Sequence, residues 1–320
     1  MHQCSLTVII PSYNDAGGLK KVLIELLQIS KKNGWQIIVI DDCSNDDTEN
    51  VLSAFSNELV VIRNDKNMGY GFSIKRGILA SETEWIATMD ADGQHRIDDL
   101  QNLCSLADSK CDAVIGNRRK LSHAPLSRRP GKWVLQFAAT FITGKKIPDI
   151  NCGLRVLRRD IMLHLFSITS DRFSFSTSTV ICLLQLGCRI KYEPVTVQER
   201  IGKSNVRQLT DGFYTLLLIN RLIFLFKPLR IILPAGALCI AFACLNQIMT
   251  FLNKGIDISD ATVLLGLSGI IICFVGLLGD QVSGLRRDIL LHDLKMEQLR
   301  SEYCKYIEKD EANERTTKIL

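Results

Sequence analysis

The sequence predicts an α/β domain on a mostly parallel sheet, followed by interfacial helices and a two-helix transmembrane hairpin. Two observations predict it. Short apolar runs alternate with helical patterns over the first 200 residues, and such βαβ alternation implies parallel strands with helices between them. Further on, Ile231 to Leu252 and Ala261 to Gly279 are 22 and 19 residues without a charge. At about 1.5 Å per residue, each can cross a hydrocarbon core of roughly 30 Å.

The expected strands are Leu6–Ile10, Gln36–Asp41, Leu59–Ile62, Trp85–Met89 and Asp112–Gly116. Each is a short apolar run, as a sheet covered on both faces requires. Helical patterns lie between them near Gly18–Lys32, Asp47–Ser56, Gly71–Ala80 and Asp98–Ser109. A ligand is expected at the carboxyl ends of the strands. Residues 1–205 make this domain, residues 206–227 an interfacial zone, residues 228–282 the hairpin and residues 283–320 a charged helical tail. Arg221 within the apolar run Phe213–Phe226 favours a helix lying in the interface over a third span. From Val282 to Ile307, apolar residues recur at helical spacing. That pattern leaves open a solvated helix or an oligomer contact.

Composition narrows the class. Hydrophobic residues make up 47% of the chain, high for a soluble protein. Nothing before residue 200 reads as a signal peptide. Lys227 and Arg230 precede the first span and Arg286 and Arg287 follow the second, so both chain ends and the N-terminal domain are expected in the cytoplasm. Eleven cysteines occur without a Cys-x-x-Cys pair. They suit a reducing compartment and small core positions rather than zinc or disulfides. The net charge of +5 is modest, and no nucleic-acid partner is expected.

Four motifs carry chemistry: Val8 to Asp15, Asp41-Asp42-Cys43-Ser44, Asp90-Ala91-Asp92-Gly93-Gln94-His95, and Arg200-Ile201-Gly202-Lys203-Ser204. Asp90 and Asp92 leave a strand end two residues apart, where carboxylates can hold a divalent cation against a diphosphate. Pro11 is expected to stop its strand's ladder. Ser44 or Asn45 suits a helix N-cap. The glycines of Asn67-Met68-Gly69-Tyr70-Gly71 suit a turn into a helix. A basic run from Arg118 to Lys132 contains no acidic residue, and arginine there can grip a phosphate with two bonds. The absence of Gly-x-Gly-x-x-Gly after the first strand argues against a Rossmann dehydrogenase.

Together, over residues 5 to 205, these motifs resemble the family 2 glycosyltransferases of the polyprenyl-phosphate sugar synthase type, the dolichyl-phosphate mannose synthase kind. The resemblance implies a GT-A type fold. It also implies inverting, metal-dependent transfer of a hexose from a nucleotide sugar to a polyprenyl phosphate at the membrane. By match, Pro11, Tyr13, Asp15, Asp42 and Asp90 line the nucleotide pocket. Asp92 and Gln94, with Asp90, hold Mg²⁺ or Mn²⁺. Arg118 and Arg129 meet the acceptor phosphate. Asp149 is the expected catalytic carboxylate, with Arg155 pairing with it or with substrate, and Arg200 and Lys203 face the diphosphate. Three departures stand out. Cys43 replaces the usual Gly, Asn205 replaces the expected Lys, and the Arg200–Gly202 spacing is one residue short. The family's membrane members often assemble through their anchors, so the resemblance adds a homo-oligomer to the expected partners. The rival readings are transfer to a glycolipid or diphosphate-linked lipid sugar, which needs a true base, and a non-catalytic scaffold that binds nucleotide sugar.

Overall fold

The computed structural model describes residues 5–118, 129–200 and 208–317. Strand and helix alternate as β1 (Leu6–Ser12), α1 (Ala16–Asn33), β2 (Gln36–Asp41), α2 (Thr48–Ala54), β3 (Val60–Arg63), α3 (Tyr70–Ala80), β4 (Trp85–Thr88), α4 (Ile97–Ser105) and β5 (Ala113–Arg118). Then follow α5 (Arg129–Thr143), β6 (Arg155–Arg158), α6 (Arg159–His164), α7 (Phe175–Gln185) and β7 (Ile190–Val195). The chain continues with α8 (Gln208–Phe226), α9 (Leu229–Lys254) and α10 (Asp260–Thr317). One seven-stranded sheet has the order β3-β2-β1-β4-β6-β5-β7. All pairings are parallel except those of β6, which runs antiparallel to both β4 and β5. Two compact units emerge, Met1–Ile219 with Met296–Leu320, and Asn220–Lys295.

The sheet's centre is dry. Val8, Ile9, Ile10, Ile38, Ile40 and Ile86 are fully buried, as β-branched residues between two helical layers should be. The register brings the ends of β1 and β2 level, with Ser12 opposite Asp41. Contrary to expectation, Pro11 does not end the ladder: β1 runs on to Ser12. The physical reason is strand alternation. Ile9 turns its carbonyl to Met89 on the β4 side, so Pro11, two residues on, also faces that side. β4 ends at Thr88, so no partner there requires the N–H that proline lacks.

Within the second unit, α9 and α10 meet through small residues. A Cβ on Gly236 would lie 2.9 Å from the carbonyl oxygen of Gly269, and one on Gly276 would lie 2.8 Å from Ile232 Cγ2. Such close approach drives helix pairing in lipid. Asn246 on α9 donates to Ser259 and Thr262 at the other end. The outer faces are apolar and open, with Leu252, Leu264, Phe274 and Leu278 exposed. A water-soluble surface rarely shows so continuous a patch. Both helices are long and apolar enough to cross a membrane. The charged tail is not a separate helix after the second span. α10 passes from the apolar stretch to Thr317 in one piece, with no proline to break it.

Candidate active site

The loops leaving β1 and β2 are laced together. Asn14 N–H donates to Ser44 Oγ, Asn45 N–H to Asn14 Oδ1, and Ala16 N–H to Asp46 Oδ2. Both turns need left-handed backbone, at Asn14 (φ 52°) and at Cys43 (φ 64°). Asn tolerates that region. Cys43 takes it where the family's Gly would do so without strain. Pro11 is buried, and Tyr13 and Asp15 are half-buried just beyond it. Asp42 is buried and fully engaged. Its Oδ1 accepts from Asn64 Nδ2 and Met68 N–H and its Oδ2 from Gly69 N–H. That carboxylate therefore fixes the turn that starts α3.

Asp90 and Asp92 follow β4. Asp90 Oδ1 accepts from the Tyr70 hydroxyl at 2.9 Å, and Oδ2 lies 3.7 Å from His95 Nε2. Burial pushes Asp90 up, but His95 and Tyr70 outweigh it and leave the carboxyl below its ordinary value. Asp92 Oδ1 accepts from Gln94 N–H and Oδ2 stands 3.5 Å from Arg200 Nη1. Burial first, and the neighbouring Asp90 second, push Asp92 up. Arg200 Nη2 also donates to Asp15 Oδ2 at 3.2 Å. Burial drives the Asp15 carboxyl to about 6 despite that arginine. A pocket that strains two carboxylates toward protonation gains from positive charge. Among the described residues no three His, Cys, Asp or Glu side chains gather as a complete metal cage. Oxygen donors from one or two carboxylates, completed by substrate phosphates, suit Mg²⁺ or Mn²⁺, so the residues present fit such an ion.

On the other side of β4, Asp149 and Arg118 form a two-pronged pair, with Nε to Oδ2 at 2.7 Å and Nη2 to Oδ1 at 2.9 Å. Burial would raise Asp149, but Arg118 outweighs it and holds the carboxyl low. The expectation that Arg155 pairs with Asp149 or with substrate is corrected. Arg155 is 1% exposed and donates to the carbonyls of Cys152, Ser176 and Ile150. It is enclosed because β6 carries it into the sheet between β4 and β5. Arg129 opens α5, its side chain lies outside the described residues, and Lys203 lies outside them entirely.

Two glycines bring backbone close to these acids. A Cβ on Gly153 would sit 2.3 Å from Asp90 Oδ2, and one on Gly18 would sit 2.6 Å from the carbonyl oxygen of Ala91. Neither glycine, nor Tyr70, nor Asn64 is singled out by sequence reasoning as a site residue. The available signals were a Gly in the first turn of a helix and a Tyr between two turn glycines.

Carboxylates thus gather at the carboxyl ends of parallel strands, with Arg200 between Asp15 and Asp92. Comparison with known proteins gives the site a class. The glycosyl transferase family 2 description matches residues 7–166, and that of the GtrB C-terminal hairpin matches residues 227–285. An uncharacterized protein of Methanocaldococcus jannaschii is 29% identical over 217 residues, 64% of this chain and 87% of that one. The undecaprenyl-phosphate 4-deoxy-4-formamido-L-arabinose transferase of Yersinia enterocolitica is 30% identical over 169 residues, 50% of this chain and 51% of that one. Among solved structures, glucosyl-3-phosphoglycerate synthase of Mycobacterium tuberculosis with UDP shares the fold. Its TM-score is 0.56 and its identity 14%, over 68% of this chain and 80% of that one. Fold and comparisons define a nucleotide-sugar glycosyltransferase on a GT-A-like sheet. The chain belongs to glycosyl transferase family 2, and relatives named as undecaprenyl-phosphate sugar transferases support the polyprenyl-phosphate sugar synthase type.

Proposed function

We propose that the protein transfers a hexose, with inversion, from a nucleotide sugar of the UDP-glucose or GDP-mannose type to a polyprenyl phosphate at the cytoplasmic membrane face. The observation that carries this is Arg200 spanning Asp15 and Asp92 beside Asp90. Three loops there bring acid and base to where a diphosphate would lie. Asp92 and Gln94, with Asp90, would hold Mg²⁺ or Mn²⁺, which when bound neutralises charge on the departing diphosphate. A related fold was crystallised with Mn²⁺ and UDP-glucose, in a chain 15% identical with a TM-score of 0.54. The Yersinia relative is named for an undecaprenyl-phosphate acceptor.

Pro11, Tyr13 and Asp15 are assigned to the nucleotide, with Asp42 at its base. Arg118 and Arg129 are assigned to the acceptor phosphate, and Arg200 and Lys203 to the leaving diphosphate. The lipid phosphate oxygen attacks the anomeric carbon in line. A new C–O bond forms as the bond to the diphosphate oxygen breaks, and the electron pair leaves with the nucleoside diphosphate. This acceptor is already an anion and needs no deprotonation. Asp149 suits that chemistry. Held ionised by Arg118, it orients the arginine and is a poor proton acceptor. A glycolipid hydroxyl would instead demand a base with a raised pKa.

A radiolabel transfer assay in detergent tests the proposal. Several nucleotide sugars are offered against undecaprenyl and dolichyl phosphate with Mg²⁺ or Mn²⁺. A mild-acid-labile lipid product that vanishes in Asp92→Ala is expected. Intact nucleotide binding with no lipid-phosphate product from any donor would overturn the acceptor assignment.

A further inference from the structure

Asp90 reaches its position through a relay that starts elsewhere in the sheet. Asp42, at the end of β2, captures the amides of Met68 and Gly69 at 2.8 Å each. Gly69 sits at φ 104°, and the chain turns there into α3, whose first residue is Tyr70. The Tyr70 ring lies parallel to Phe173, with an interplanar angle of 8° and centroids 6.0 Å apart. Phe173 belongs to a segment tied to the first turns of α3. Phe72 N–H donates to Asp171 O at 2.9 Å. Lys75 is nearly buried and places its ammonium on Phe166 O, Thr169 O and Asp171 Oδ1 at 2.7, 2.8 and 2.7 Å. Gly71 admits this segment, since a Cβ there would stand 2.2 Å from Ser170 O.

We propose that Tyr70 is a positioning residue of the donor site: its hydroxyl sets the Asp90 carboxylate, and the Lys75-anchored segment carrying Phe173 sets Tyr70. The inference rests on reading Asp90 as facing the donor diphosphate and its metal. Three groups hem in that carboxylate: the Tyr70 hydroxyl on Oδ1, His95 beside Oδ2, and Gly153, where a Cβ would collide with both oxygens. Of these, the hydroxyl is the one formal donor at hydrogen-bond distance. A carboxylate can only accept, so the phenol is the donor in this pair. Removing it frees the carboxylate to rotate while Phe173 and Asp42 keep the backbone in place. Groups that orient a metal-binding carboxylate typically change metal affinity by about 10- to 100-fold.

Tyr70→Phe keeps the ring and its stack and deletes the hydroxyl alone. Lys75→Met releases the segment without touching Asp90. The free Mn²⁺ signal is titrated by electron paramagnetic resonance on the full-length protein in detergent, with UDP and with GDP, and the melting midpoint is followed in parallel. The expected result is Mn²⁺ retention about 10- to 100-fold weaker in Tyr70→Phe at an unchanged melting midpoint, with a smaller loss in Lys75→Met. Wild-type retention in Tyr70→Phe would overturn the proposal, as would a loss that only tracks a lowered melting midpoint. A wild-type protein that transfers sugar yet retains no Mn²⁺ with either nucleotide would overturn it too, while leaving the transfer reaction standing.

Discussion

Replacing Asp149 by Asn removes one charge and keeps the side chain's shape. In the structure this carboxylate takes both prongs of Arg118 at 2.7 and 2.9 Å. The two side chains are 11% and 25% exposed, so solvent screens the pair only partly. A hydrogen bond to a charged group contributes about 1.5–3 kcal/mol. Asparagine keeps one acceptor oxygen for the guanidinium, so the expected loss is about 2 kcal/mol. For a domain of this size, 1 kcal/mol moves the melting midpoint by about 2–4 °C, so near-UV circular dichroism in detergent should show a fall of about 4–8 °C. The effect has a pH signature. Asp149 is held below its ordinary value in the folded state, so its contribution is complete above the unfolded value of about 4 and is lost as pH falls through the depressed one. The variant's deficit should be full at pH 7 and shrink in acid. In the transfer assay an orienting carboxylate predicts a raised KM for the lipid phosphate and a modest change in kcat. A general base predicts a fall in kcat of about 10²–10⁴-fold. A midpoint within about 1 °C of wild type, or a kcat collapse at unchanged KM, would refute the reasoning.

Other perturbations separate the remaining roles. Gly18→Ala should lose about 1–3 kcal/mol and most transfer activity, because its Cβ meets the Ala91 carbonyl and Asp92 backbone; a helix interior elsewhere would gain about 1 kcal/mol from the same change, and thermal melts give the sign. Arg155→Met takes the guanidinium away from the buried carbonyls of Cys152, Ser176 and Ile150 and should cost about 3 kcal/mol, read in the same melts. Asp15 has a raised folded value of about 6, so the folded protein binds a proton that the unfolded chain releases near pH 4; stability should decline as pH rises from about 4 to 6, and Asp15→Asn should flatten that slope. Arg200→Met removes a cation that lowers Asp15, so carboxyl NMR should place its titration higher still.

Much of the sheet was legible because its central strands are dry on both faces. Runs such as Gln36–Asp41 are short, β-branched and apolar, as buried strands are, and their ends fall within a residue or two of the observed ones. β6 carried little signal. Arg155 and Arg158 bracket only two apolar residues, and its antiparallel insertion between β4 and β5 is set by distant pairing rather than by local pattern. Candidate site residues stood out where a carboxylate follows a strand, as for Asp15, Asp42, Asp90 and Asp92. What those carboxylates touch was not legible. That Asp42 bonds Asn64 and two amides, or that Arg118 bonds Asp149 across 31 residues of chain, depends on which loops the sheet order brings level. The tail helix was read as distinct because its composition changes near Val282. Composition decides what surrounds a helix, whereas backbone breaks decide where it ends, and α10 has none there.

The lacing of the β1 and β2 loops, Asn14 to Ser44, Asn45 to Asn14 and Ala16 to Asp46, has a thermodynamic consequence for the donor. Segments held this way surrender their conformational freedom when the chain folds. If the donor binds as proposed, its nucleotide meets a wall already ordered, so little of its contact energy is spent on quieting the protein there. Calorimetry of nucleotide binding should then show a small unfavourable entropy from this side of the cleft. Asn14→Ala, which cuts one lace by removing the oxygen that Asn45 N–H uses, should make that entropy more unfavourable even though Asn14 need never touch the nucleotide.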